Sequence, residues 1–100
     1  MRQGGGKGPR YGKRVDENQL EIVKALEAIG CTVCEIGWPV DLLVGFKSYN
    51  FLIEVKDPNQ VLSKRRLTKD QVIFFRDWVG QKRKVETAEE AIKLVMDAYQ

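Results

Sequence analysis

A chain of 100 residues, 43% hydrophobic and 31% charged, fits one soluble globular domain, and no apolar run approaches the ~20 residues that span a bilayer. The first 20 residues hold no apolar signal-peptide core, so a cytoplasmic location is expected. The formal charge is +3 and histidine is absent, which excludes Ser-His-Asp and Cys-His catalysis and His-ligated metal sites; any chemistry must rest on carboxylates, amines or thiols.

Residues 1–14 carry Arg2, Lys7, Arg10, Lys13 and Arg14 with no acid, so the remaining body is net acidic. Gly4 to Gly6, Gly8, Pro9 and Gly12 predict a flexible basic arm, of a kind common on nucleic-acid partners, preceding a single domain over 15–100. From Asp16 to Ile29 the residues Leu20, Ile22, Val23, Leu26 and Ile29 recur at helical spacing, and Gly30 supplies a stop. Cys31 to Ile36 reads as a strand. Its Cys-x-x-Cys pair lacks the two further ligands a zinc site needs, and two ordinary reduced cysteines are expected. Gly37-Trp38-Pro39 breaks the chain before strands Val40 to Phe46 and Phe51 to Lys56, with Lys47 to Asn50 as the turn between them. The run to Arg66 reads as a polar, basic loop. Thr68 and Gln71 match a capping box that opens a helix carrying Val72, Phe75, Trp78 and Val79 and stopping at Gly80. Lys84 to Glu86 is a candidate short strand. Thr87 and Glu90 match a second box opening a last helix with Ala91, Leu94, Val95 and Ala98 on its packing side. The order is α-β-β-β-α-β-α, an α/β fold.

A hairpin of the second and third strands, with Phe46 facing Phe51, sets Leu43 opposite Glu54 and Asp41 opposite Lys56. Side chains alternate with period two, so Asp41, Leu43, Leu52, Glu54 and Lys56 share one face, and the wholly apolar Leu42, Val44, Phe46, Phe51, Ile53 and Val55 share the other. Two converging carboxylates repel unless a divalent cation uses them as ligands, so a magnesium site at Asp41 and Glu54 is the economical explanation. Lys56 then stands where it can orient or deprotonate a water or neutralise charge on a phosphodiester. The Glu-x-Lys triplet is not specific alone; its place at the end of an apolar strand, with Asp41 on the same face, is what gives it weight. A carboxylate–lysine pair on a solvated sheet face is the plainer alternative.

Pro39-Val40-Asp41 followed by Ile53-Glu54-Val55-Lys56 resembles the core motif of the PD-(D/E)xK nuclease superfamily, and within it the VRR-NUC group of small virus-type replication and repair nucleases. Asp16 to Val23 is similar to the first helix of the group's stand-alone phage and prophage members, and Leu67 to Gln71 to the segment opening the helix after the core. One departure is visible: the group usually has Pro directly before Asp, where here Val40 intervenes. The resemblance implies a restriction-endonuclease-like αβββαβ core, with a mixed sheet flanked by helices and an added C-terminal helix. It implies Mg²⁺-dependent or Mn²⁺-dependent hydrolysis of DNA in a bacterial host cytoplasm, with Asp41, Glu54, Lys56 and Gln71 at the catalytic centre and Glu21, Asp41, Glu54 and the Val55 main-chain carbonyl as metal ligands.

The basic cluster Lys64, Arg65, Arg66 and Lys69, together with Arg10, Lys13 and Arg14 of the arm, is suited to phosphate contacts, as is Lys82 to Lys84. Phe74, Phe75 and Trp78 cannot all point inward from one helix turn, which leaves apolar surface for a partner. A twofold homodimer would present two sites to two strands, as symmetrical cutting of a four-way Holliday junction requires, and stand-alone members of the group are linked to that activity. A non-catalytic DNA-binding module on the same fold, a phage interaction or structural protein needing neither metal nor DNA, and a flap or single-strand-end nuclease are the alternatives.

Overall fold

In the helix Glu17–Ala28 (α1), Gln19, Ile22, Val23 and Leu26 fall at i, i+3, i+4 and i+7 and are all buried. Its end is closed by a Schellman pair: Cys31 N–H donates to the Leu26 carbonyl at 3.0 Å and Gly30 N–H to that of Glu27 at 3.1 Å. This closure requires the left-handed Gly30, with φ +103°. The structure, a computed structural model, describes residues 17–99. The basic arm with Arg10, Tyr11, Lys13 and Arg14, and the domain start at residue 15, lie outside the described residues.

The strands Thr32–Glu35 (β1), Leu42–Phe46 (β2), Tyr49–Val55 (β3) and Lys82–Val85 (β4) form a four-stranded mixed sheet in the order β1-β2-β3-β4. The first three are antiparallel neighbours, and β4 runs parallel to β3. Between β3 and β4 stand a short helix Leu62–Arg65 (α2) and a longer one, Lys69–Asp77 (α3); the helix Ala88–Tyr99 (α4) is the last element among the described residues. The apolar sheet face is buried in full, Leu42, Val44, Phe46, Phe51, Ile53 and Val55 packing with Ile22 and Leu26 of α1 and Ala91 and Val95 of α4. Each large side chain so enclosed contributes roughly 1.5–3 kcal/mol. α3 lies against the other face, where Phe74 and Trp78 border a groove with Leu43 and Leu52. The sheet is therefore flanked by helices on both sides. No helix among the described residues is long and apolar enough to cross a membrane.

Five expectations are corrected. The second strand starts at Leu42 rather than Val40 and the third ends at Val55, so Asp41 and Lys56 each lie one residue outside their strands, past the end of the β2–β3 ladder. The turn is the two residues Lys47 and Ser48, with φ of 52° and 72°, so Tyr49 and Asn50 join β3 and Phe46 pairs with Tyr49 rather than Phe51. Left-handed residues at both positions match the twist of the strands they join, which outweighs the absence of Asn-Gly. The segment before Arg66 is partly helical, as α2. α3 stops at Asp77, and its predicted apolar residues do not enter the core: Val72, Trp78 and Val79 are exposed and Gln71 is the buried one. The last strand starts at Lys82 rather than Lys84 and ends before Glu86.

The first capping box forms as expected, Thr68 Oγ1 accepting from Gln71 N–H and the Gln71 amide oxygen accepting from Thr68 N–H. The second is displaced by one residue: Thr87 Oγ1 accepts from Glu90 N–H, but the Glu90 carboxylate takes the N–H of Glu86. Cys31 is buried and Cys34 half-buried, both unbridged, and burial pushes the Cys31 thiol up.

Candidate functional site

The two-residue slip in register preserves side-chain parity, so the two faces hold as the alternation predicts. It changes the partners: continuing the ladder one step past Leu42–Ile53 brings Asp41 opposite Glu54 instead of Lys56. Both carboxylates are buried, at 4% and 2% exposure, and a buried carboxylate must be hydrogen-bonded. The Asp41 N–H donates to Glu54 Oε1 at 3.2 Å, and the Val55 N–H donates to Asp41 Oδ2 at 2.9 Å. The Asp41 main-chain carbonyl meanwhile accepts from the N–H groups of Ile36 and Gly37, at 2.9 and 3.2 Å, tying the loop after β1 to the start of β2.

Lys56 completes the group, its Nζ 3.4 Å from Glu54 Oε2 and its side chain mostly enclosed. The N–H and C=O of one strand residue leave from the same edge, so the Val55 carbonyl lies on the β2 edge of β3, the edge from which its N–H reaches Asp41. The structure thus brings together Asp41, Glu54, Val55 and Lys56. These donors are two carboxylates and a main-chain carbonyl, all hard oxygens, and they fit Mg²⁺ or Mn²⁺, which take one or two carboxylates and complete their shell with water and phosphate oxygen.

Gln71 is buried at the start of α3, on the helix side that also carries Phe74 and Trp78 toward the carboxylate-bearing sheet face, and its side chain is engaged in the capping box. Glu21 is exposed on α1 and lines a separate cleft of about 390 Å³ with Glu17, Asp57 and Glu86. Among the described residues no three His, Cys, Asp or Glu side chains form one group. Lys64, Arg66 and Lys69 are exposed around α2 and the start of α3. Arg65 is not simply displayed: its Nε and Nη2 grip the two oxygens of Glu86 at 3.2 and 2.9 Å, and that bond, first, with Lys84 behind it, holds the Glu86 carboxyl below the ordinary range. Lys84 Nζ donates to the Arg65 carbonyl at 2.9 Å, pinning α2 over β4 and so placing the entry to α3.

Two positioning residues escaped the sequence reading. The Asn18 amide donates to the carbonyls of Lys56 and Glu86, both at 2.9 Å, clamping the ends of β3 and β4 beside the site. Gln19 Nε2 donates to Glu35 Oε1 at 3.0 Å. Gln19 was detectable, as a polar residue one turn before Ile22 on the buried stripe; Asn18 and the Arg65–Glu86 pair join residues distant in sequence and left no local signal.

No family model matches the chain, and no curated protein or solved structure matches it either.

Proposed function

We propose that this protein is a metal-dependent, structure-selective DNA endonuclease that hydrolyses phosphodiester bonds, cutting four-way junctions as a homodimer. The observation that carries the reading is the reciprocal holding of Asp41 and Glu54 at the end of the β2–β3 ladder, with Lys56 beside Glu54. Two carboxylates enclosed this closely raise the local negative charge, which the Lys56 ammonium offsets in part and a divalent cation would offset further. A hairpin that spends two buried acids where apolar residues would pack gains most if they serve chemistry. The element order and the mixed sheet are compatible with a restriction-endonuclease-like core.

Asp41, Glu54 and the Val55 carbonyl would hold Mg²⁺, which when bound polarises a phosphodiester oxygen and lowers the pKa of a coordinated water. Lys56, fixed by Glu54, orients the attacking water and offsets charge that develops on the phosphate. Lys64, Arg66 and Lys69 supply phosphate contacts that position a duplex without reading its sequence. Gln71 contributes by setting the start of α3 over the same face.

The second reading, a non-catalytic DNA-binding module, draws on the fact that both carboxylates already accept main-chain N–H groups and so serve the fold. Cleavage of an end-labelled four-way junction, with linear duplex, flap and single-strand controls in Mg²⁺ or Mn²⁺, separates the two. Paired symmetrical nicks by the wild type that vanish in Glu54→Ala are the expected result. Junction binding without cutting by both proteins would leave the binding module.

A further inference from the structure

A groove of about 440 Å³ runs between α3 and the sheet on the face that carries the carboxylates. Its floor is the cross-strand pair Leu43 and Leu52, two residues along each strand from Asp41 and Glu54 and therefore about 7 Å away. Pro39, Phe74, Trp78 and Gly80 border it. The Phe74 and Trp78 rings are stacked, with centroids 5.5 Å apart and planes 23° from parallel, yet Trp78 remains 43% exposed. Gly80 lets the backbone lie against one edge of the indole, since a Cβ there would lie 2.6 Å from Trp78 Nε1. Asn50 and Gln81 add amides that can both donate and accept at the groove margin.

A cation stands at the same place. Lys82 pairs with Leu52 across the β3–β4 ladder, and its Nζ donates to the Trp78 carbonyl at 2.6 Å. An ammonium has three N–H groups, so this one can also reach an anionic oxygen outside the groove. A flat aromatic wall, amides at the margin, an ammonium beside Trp78 and the Asp41–Glu54 pair about 7 Å from the floor suit a ligand with a planar ring and a phosphate.

Resting on the nuclease reading above, we propose that this groove is a nucleobase subsite: an unpaired base of the substrate strand, next to the scissile phosphate, stacks on Trp78 while Lys82 takes its phosphate. Such stacking tolerates any base, because each has a π face, and it favours branched or frayed DNA, where bases are already unstacked. The subsite thereby gives the enzyme structure selectivity without sequence readout.

The test is a titration of the full chain bearing Trp38→Phe, which leaves Trp78 as the sole tryptophan, in EDTA so that no metal-dependent cleavage occurs. The probes are a short oligothymidylate and an abasic sugar-phosphate oligomer of equal length. With both probes end-labelled so that their fluorescence anisotropy reports affinity for every variant, the oligothymidylate is expected to quench Trp78 and bind roughly 5- to 100-fold tighter than the abasic oligomer, a difference in affinity that Trp78→Ala removes and Trp78→Phe largely keeps. Lys82→Gln should weaken both probes alike and flatten their salt dependence. Equal affinity for the two probes, or a base preference that survives Trp78→Ala, would overturn the proposal. A Trp78-dependent dimer with no base preference would assign the groove to a second copy of the chain and overturn it as well. Junction cleavage in Mg²⁺ is read separately: no cleavage with base-dependent quenching intact removes the nuclease reading alone, and cleavage without such quenching removes the subsite alone.

Discussion

Asp41 and Glu54 each complete the other's strand: the Asp41 N–H is taken by the Glu54 carboxylate at 3.2 Å, and the Asp41 carboxylate takes the N–H of Val55, the residue after Glu54, at 2.9 Å. Side chains thus finish the hairpin ladder where backbone pairing ends. The acids proposed for chemistry are also the acceptors that keep two buried amides satisfied, so their structural and catalytic parts must be separated by substitution.

Asp41→Ala strands the buried Val55 N–H and should lower unfolding free energy by about 1–3 kcal/mol in urea denaturation. Asp41→Asn keeps an acceptor oxygen at that place and should recover most of the loss, while junction cleavage in Mg²⁺ stays at least 100-fold below wild type. Cleavage by Asp41→Asn at the wild-type rate would remove Asp41 from the chemistry.

The Lys47-Ser48 turn holds two non-glycine residues at φ of 52° and 72°. Lys47→Asn with Ser48→Gly supplies residues suited to that conformation and should raise stability by roughly 0.5–1 kcal/mol without altering DNA affinity. A fall in the urea midpoint would show that the Lys47 ammonium, 5.4 Å from the Tyr99 ring and 5.8 Å from that of Phe46, matters more than the backbone.

Glu86 is held below its ordinary range by Arg65, so its folded pKa lies under its unfolded one. The stability it contributes is complete above the unfolded value, about 4.3, and is lost as pH falls through the depressed folded value. Glu86→Gln should therefore destabilise the protein at pH 7 and reduce the difference in melting temperature between pH 7 and pH 3. An unchanged difference would show that other carboxylates govern the acid transition.

Thr68→Ala breaks a capping box and should cost about 1 kcal/mol. α3 buries Gln71 and little else, so the loss should appear first as faster hydrogen exchange at α3 amides, with the strands protected as before. Uniform acceleration across the sheet would mean that α3 unfolds only with the whole domain.

Much of the fold was legible because it is written in local period. The stripe of Ile22, Val23 and Leu26, the alternation of Leu42, Val44, Ile53 and Val55, and the Thr68–Gln71 box each need only neighbours in sequence to be read. The shared face of Asp41, Glu54 and Lys56 followed from parity, which no even slip of register can change. Tertiary structure decided what parity leaves open. The tight Lys47-Ser48 turn, chosen by strand twist, moved the register by two and made Glu54 rather than Lys56 the neighbour of Asp41. Packing on the carboxylate-bearing face, where Leu43 and Leu52 only partly fill the space under Phe74 and Trp78, left α3 outside the core and opened the groove. The clamps of Asn18 on Lys56 and Glu86, and of Arg65 on Glu86, join segments 21 to 68 residues apart, and such pairs exist only once the chain has closed on itself.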